Sequence, residues 1–355
     1  MKTSFYSLLS FFLFLFSSCS DDPPTNTIVN DPFVQGYSAT ESSLCMTLST
    51  LAYVNENNPA YIKDSLLVQL SIPNYATQGK WTLDWGPGLN SDFSNMMYVA
   101  KNTSTNPDSY AIAVRGTDWC YFFNWKEDIG IIEFDAYPYG GTGDSVSHGA
   151  LYGLNQLLAM RDPVTNQTLV SYLNNIPATS NLMYITGHSL GGQLATILSS
   201  WFIDNGYSSK FRLKAYTFAA PSTGNEAYLN HYEQIFKTAN AESHRVVNSN
   251  DLVPNFCATL IEVLLNQIPT SLPTDVEAVI GGLDVYLIKY DLIYKNVGIK
   301  HDLGTIAPDS CNYATKSIEQ YACWVAYEHN TNTYLTLLNA PLVNYNTAAC
   351  DWNTK

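Results

Sequence analysis

Strands alternating with helices along this chain predict an α/β fold, a mostly parallel central sheet with helices on both faces. The apolar run Leu182-Met183-Tyr184-Ile185 leads into Gly187-His188-Ser189-Leu190-Gly191-Gly192, and a helical segment, Gln193 to Ile203, follows. A strand, a sharp Gly-x-Ser-x-Gly turn and a helix form one such α/β unit. Apolar runs at Tyr110 to Arg115, Lys214 to Phe218 and Arg245 to Asn248 end in turn residues, as buried strands do. A length of 355 residues holds one large domain, and no repeat or second boundary interrupts it.

The first residues read as processing signals. Met1-Lys2 supplies a positive charge, and Phe5 to Phe16 is an apolar run too short to span a bilayer. Ser17-Ser18-Cys19 follows. Small residues directly before a cysteine resemble the lipobox of bacterial lipoproteins, which implies cleavage of residues 1–18 and a lipidated Cys19. Ser20-Asp21-Asp22 resembles acidic export signals of surface lipoproteins. The expectation is an exported chain anchored to the outer membrane or cell surface; ordinary secretion, with Cys19 lost, is the alternative. Residues 19–36 are expected to form the tether, Pro/Thr/Asn-rich from Asp21 to about Asp31, and residues 37–355 the single domain. No later run reaches the length of a spanning helix.

Within the domain, Leu44, Leu48, Leu51 and Ala52 recur at helical spacing, so Glu41 to Val54 is expected as a helix. Gly116-Thr117 closes the strand at Tyr110 to Arg115. Asp128 to Phe134 is expected as the next strand, Tyr137 to Gly143 as a loop and Val146 to Met160 as a helix. Met183 to Thr186 then leads into the turn, with Leu194 to Ile203 as its helix. The last clear helix runs from about Asn332 to Leu338. Phe256 to Tyr294 is unusually apolar for a connection, an insertion at about 255–300 that is either extra core or a cover over an apolar site.

Composition excludes some functions. The balance of 17 basic against 31 acidic residues gives a net charge of −14, which disfavours nucleic acid and anionic head groups. Seven cysteines are present. Without Cys19 the remainder is even (Cys45, Cys120, Cys257, Cys311, Cys323, Cys350), which in an exported chain suggests up to three disulfides, with the pairing among the six left open. No close cysteine pairs suggest a metal site.

The chemistry centres on Ser189. Its hydroxyl must project from a tight turn, so Gly187 and Gly191 need to lack a Cβ. The helix that begins after it aims unpaired N–H groups, Leu190 first, at the space beside the serine oxygen. A serine needs a positioned base, and in this topology the order is Ser, Asp or Glu, His. Of the six histidines, His188 lies inside the turn, its ring expected to point into the packing, and His148 precedes the serine. Asp251 lies just past the apolar strand, in Asn248-Ser249-Asn250-Asp251-Leu252-Val253-Pro254, where Pro254 blocks regular continuation. It is either the acid or the cap of a turn. His329, expected in a loop directly before a helix, is the preferred base, and His301 the fallback.

Gly-His-Ser-Leu-Gly-Gly, Asn-Asp-Leu-Val-Pro and a late His-x4-Tyr-Leu together resemble the class 3 lipases, a family of α/β-hydrolases. Val114-Arg115-Gly116-Thr117 with Asn124-Trp125 and Asp128, His148-Gly149, and Thr217-Phe218-Ala219-Ala220-Pro221 match it further, with alanine at 219 where the family has glycine. The resemblance covers roughly Glu41 to Leu338. It implies a serine carboxylic-ester hydrolase, an acylglycerol lipase first, with Ser189, Asp251 and His329 as triad. It also implies Thr117 as the second oxyanion donor beside Leu190. No metal or cofactor is required. Arg115 is expected to be structural, with Asp128 as an ion-pair partner. Phospholipase A1, feruloyl esterase and short-chain esterase are alternatives within the class. A catalytically dead surface protein binding lipid or glycan is the alternative outside it.

Overall fold

The structure, a computed structural model, describes residues 36–55, 58–116, 133–178, 181–259, 272–306 and 318–344. Cys19, Thr117, Cys120, Asp128, Cys311 and Cys350 lie outside the described residues. The described residues all fall within one compact unit, Phe33–Lys355.

The core element is a seven-stranded sheet ordered β1-β2-β3-β6-β7-β8-β9. Its strands are β1 (Trp81–Leu89), β2 (Met96–Asn102), β3 (Ser109–Val114), β6 (Asn181–His188), β7 (Phe211–Phe218), β8 (Glu242–Val247) and β9 (Ile299–Asp302). From β3 onward every pairing is parallel; β1 and β2 add antiparallel edge strands. This is the α/β-hydrolase architecture the sequence predicts. Each expected strand of the parallel part is present, one to three residues longer at its start. The edge pair was not expected: Gly86-Pro87-Gly88 reads as a turn, yet it sits inside β1, where the register shifts. Bulged edge strands tolerate such residues.

Alternation along the strands separates two cores. Tyr110, Ile112 and Val114 of β3, with Met183 and Ile185 of β6, face α3 (His148–Ala159), α4 (Leu169–Asn175), α5 (Leu190–Asp204) and α6 (Glu226–Ala239). Ala111, Ala113, Tyr184 and Tyr216 face α1 (Ala39–Leu51), α2 (Ile62–Leu70) and a late short helix, Thr331–Leu337. Helices therefore cover both faces. Helix α1 starts where expected because the Ser38 hydroxyl accepts the Glu41 amide at 3.2 Å. Its Glu41 carboxylate then takes the Lys214 ammonium at 2.8 Å and the Tyr184 hydroxyl at 2.8 Å, fixing the helix on the sheet.

Several expectations are corrected. The strand expected at Asp128 to Phe134 lies mostly outside the described residues. Its described end, β4 (Phe134–Ala136), pairs antiparallel with β5 (Ser145–Ser147) in a separate sheet. Phe134 stacks on Tyr294 at 4.5 Å instead of on the central strands. The helix expected from Val146 begins at His148, because the Ser147 hydroxyl caps the amide of Ala150 at 3.1 Å and leaves 145–147 extended. Part of the insertion packs as extra core, since in α7 (Thr274–Lys289) Ile280 packs with Leu252, Tyr321, Trp324 and Val325, while Val285 and Ile288 of the same helix are exposed. Cys45 and Cys257 are free, buried thiols, so of the up to three disulfides expected at most two remain. Among the described residues no helix is long and apolar enough to cross a membrane.

Candidate active site

Ser189 lies between β6 and α5 with φ 61° and ψ −134°, a conformation L-residues avoid and that costs about 1–3 kcal/mol. The surroundings impose it. The Ser189 amide donates to the Phe218 carbonyl at 3.0 Å, and the Ser189 carbonyl accepts from Gly192 at 2.9 Å. A Cβ on Gly187 would come within 2.1 Å of the Gly191 carbonyl oxygen, and one on Gly191 within 2.4 Å of that of Val114. The turn is this sharp only because both side chains are missing. Phe218 leads into Ala219, which stands at φ 52°, a left-handed conformation glycine would adopt without strain. This is the position where the sequence has alanine for glycine.

Asp251 stands past the end of β8, as expected, where it both caps a turn and meets His329. Its Oδ1 accepts the Val253 amide at 3.0 Å. Its Oδ2 lies 2.8 Å from His329 Nδ1, with Oδ1 at 3.0 Å. A carboxylate accepts, so Nδ1 carries the proton and Nε2 is left as the basic nitrogen. His329 and Asp251 are 3% and 1% exposed, so bulk water does not compete for this pair. His329 is not in a loop, as the sequence suggested. It is the last residue of α8 (Ile318–His329), and Asn330 turns the chain by capping the next helix, α9 (Thr331–Leu337).

His329 meets the elbow through His188. The two imidazole centroids are 4.7 Å apart, and His188 Nε2 donates to the His329 carbonyl at 2.8 Å. His188 is thus buried as expected, and it also bonds to the backbone of His329 rather than merely filling space. Burial, reinforced by the neighbouring His329, keeps His188 well below the usual histidine range. The end of β3 completes the enclosure: a Cβ on Gly116 would approach the Ser189 Cβ to 3.1 Å. The segment entering Thr117 therefore lies against the serine. Arg115 is structural, donating from its guanidinium to the Phe93 carbonyl. Leu190 begins α5, where the first amides have no intrahelical acceptor.

The remaining histidines are elsewhere. His301, the fallback base, shares a 3.0 Å hydrogen bond with His244 and stacks on Tyr37 at 4.0 Å, away from Asp251. Burial and His244 bring it down to about 4. His148 pairs with Asp135 at 2.8 Å on the surface.

Four supporting residues escaped the sequence reading. Tyr334 donates to Asp251 Oδ2 at 2.7 Å. Asn248 donates through Nδ2 to the Glu328 carbonyl at 2.9 Å and to its carboxyl at 2.7 Å. Burial raises the Glu328 carboxyl above the usual range, and the Asp251 charge adds to this. Tyr53 bonds to both Gly116 and His188. The signal for Tyr334 was its place in His-x4-Tyr-Leu; nothing in the sequence marks Tyr53.

Residues 111–260 match the family model described as lipase (class 3). Phospholipase A1-II 1 of Oryza sativa subsp. indica is 29% identical over 193 residues, 48% of this chain and 47% of that protein. A lipase of Caenorhabditis elegans is 37% identical over 73 residues, 21% of this chain and 20% of that protein. These matches span less than half the length of either relative. The crystal structure of M37 lipase superposes with a TM-score of 0.69 at 21% identity, covering 85% of this chain and 93% of that one. At that identity the likeness is one of fold. Ser189 and Asp251 fall inside the segment that matches the class 3 lipase model and His329 beyond it, and the fold that carries them is an α/β-hydrolase fold.

Proposed function

We propose that this chain is a serine carboxylic-ester hydrolase acting on lipid esters, with Ser189 as nucleophile, His329 as base and Asp251 as the acid that orients it. The observation that carries the reading is the buried 2.8 Å pair of Asp251 and His329, whose ring lies 4.7 Å from that of His188, the residue before a serine held in a strained elbow. His329 Nε2 takes the serine proton as Oγ attacks the ester carbonyl. Asp251 holds the required tautomer and stabilises the imidazolium. The oxyanion meets the Leu190 amide and, by family resemblance, a donor on Thr117; losing one such donor costs about 3 kcal/mol. His329 then protonates the leaving alcohol, and water releases the acyl group. The steps need no cofactor.

Acylglycerols are the proposed substrates. The similarity to a phospholipase A1 favours phospholipids as the second reading. Hydrolysis of acylglycerols of graded chain length and of phosphatidylcholine, by wild type, Ser189→Ala and His329→Ala, separates the two. A fluorophosphonate probe should label wild type and not Ser189→Ala; a folded wild type that resists the probe would favour a non-enzymatic binding protein. We also propose anchoring through lipid on Cys19. Incorporation of labelled palmitate that disappears in Cys19→Ala is the expected result, and equal labelling of both removes the anchor.

A further inference from the structure

One directional chain of hydrogen bonds runs behind the site. His188 Nε2 lies 2.8 Å from the His329 carbonyl oxygen, which can only accept. The proton of the neutral ring is therefore on Nε2, and Nδ1 is an acceptor. The Tyr53 hydroxyl stands 3.3 Å from that Nδ1 and 3.2 Å from the His188 carbonyl, and accepts the Gly116 amide at 3.1 Å. Whichever acceptor on His188 takes the tyrosine proton, the order is the same. It runs from Gly116 N–H to Tyr53, from Tyr53 to His188, and from His188 to the His329 carbonyl.

The chain is enclosed. Tyr53 is 7% exposed and His188 3%. The His188 ring is boxed by Tyr53 edge-on at 6.0 Å, Tyr334 edge-on at 5.6 Å and His329 at 4.7 Å. Burial keeps His188 neutral. A neutral neighbour places no second positive charge beside an imidazole that must become imidazolium during acyl transfer.

We propose that Tyr53 and His188 are positioning residues of the reaction, a polar strap that holds the strand end entering Thr117, the elbow and the backbone of the base in one register. The three segments come from separate parts of the chain. Neither residue touches the substrate. They act by keeping the base and the oxyanion side aimed at the same carbonyl, where a displacement of ~1 Å costs about 100-fold. This inference rests on the serine-hydrolase reading of Ser189.

The test uses the full chain as wild type, His188→Phe, His188→Gln, Tyr53→Phe and Ser189→Ala. Ester kinetics, the fluorophosphonate labelling rate and thermal melting are measured on each. Phenylalanine keeps the ring and deletes the donor; the glutamine amide restores a donor near Nε2. His188→Phe should lose about 100-fold in kcat and in labelling rate, with KM within about threefold, and His188→Gln should recover to within about tenfold of wild type. Tyr53→Phe should fall between them. A purely structural role would lower the melting temperature of both His188 variants and leave kcat intact. Wild-type kcat in folded His188→Phe, or equal impairment in His188→Gln, overturns the strap. Where His188→Phe does not fold, Tyr53→Phe decides: wild-type kcat there overturns the proposal and a parallel loss of kcat and labelling supports it. Activity surviving in Ser189→Ala would instead remove the serine reading, a result independent of the His188 series.

Discussion

The Tyr334 hydroxyl and the His329 imidazole both donate to the same oxygen of Asp251, at 2.7 and 2.8 Å. Tyr334 also accepts the Asn248 amide at 3.1 Å, so the start of the acid turn, the acid and the helix after the base form one unit. Tyr334→Phe strips the carboxylate of one donor and leaves a buried amide without its acceptor. Stability should fall by roughly 1–3 kcal/mol, read by urea denaturation. A loss of kcat of about tenfold should accompany it, equivalent to ~1.4 kcal/mol of transition-state stabilisation.

Asp251→Asn preserves the shape of the side chain and can still receive the Val253 amide. It reverses the tautomer presented to His329, however. We expect a folded protein with kcat reduced by about 10⁴-fold. Unchanged turnover in ester hydrolysis would remove Asp251 from the set.

Gly191→Ala places a methyl group 2.4 Å from the Val114 carbonyl oxygen and 2.6 Å from the Gly116 nitrogen, both backbone atoms that cannot swing aside. The elbow must then part from β3. A destabilisation of roughly 1–3 kcal/mol is expected, together with loss of fluorophosphonate labelling. Thermal melting and gel fluorescence read the two effects.

His188 and His301 both titrate lower in the folded protein than the ordinary value of 6.5, chiefly through burial, and His301 falls to about 4. Between these limits the unfolded chain binds more protons, so stability is full above about 6.5 and is lost as pH falls. His301→Gln should flatten the dependence of the urea midpoint on pH by about one proton between pH 6.5 and 4. His301 meets Tyr37 and His244 rather than Ser189, Asp251 or His329, so turnover at neutral pH should hardly change.

Much of this was legible in the sequence because its signals are local. Gly187 and Gly191 announce the elbow, and the unbroken apolar run from Tyr110 to Val114 announces a strand buried on both faces. Asp251 was legible because Pro254 and the preceding strand fix where its turn must lie. His329 was identified by order along the chain, yet its setting at a helix end was not. Asn330 looks like any polar loop residue until its capping bond is seen. The edge strands were hidden by Gly86-Pro87-Gly88, which only a bulged partner makes compatible with pairing. Tyr53, Asn248 and Glu328 were invisible because their roles depend on contacts far across the chain. Asn248 meets Glu328 eighty positions away, and no periodicity records such a meeting.

His329 lies at the junction of α8 and α9, after every strand of the main sheet. A ribosome therefore completes the elbow and its sheet before it delivers this imidazole to them. Under the proposed mechanism the serine is an unarmed alcohol until those two helices emerge and dock.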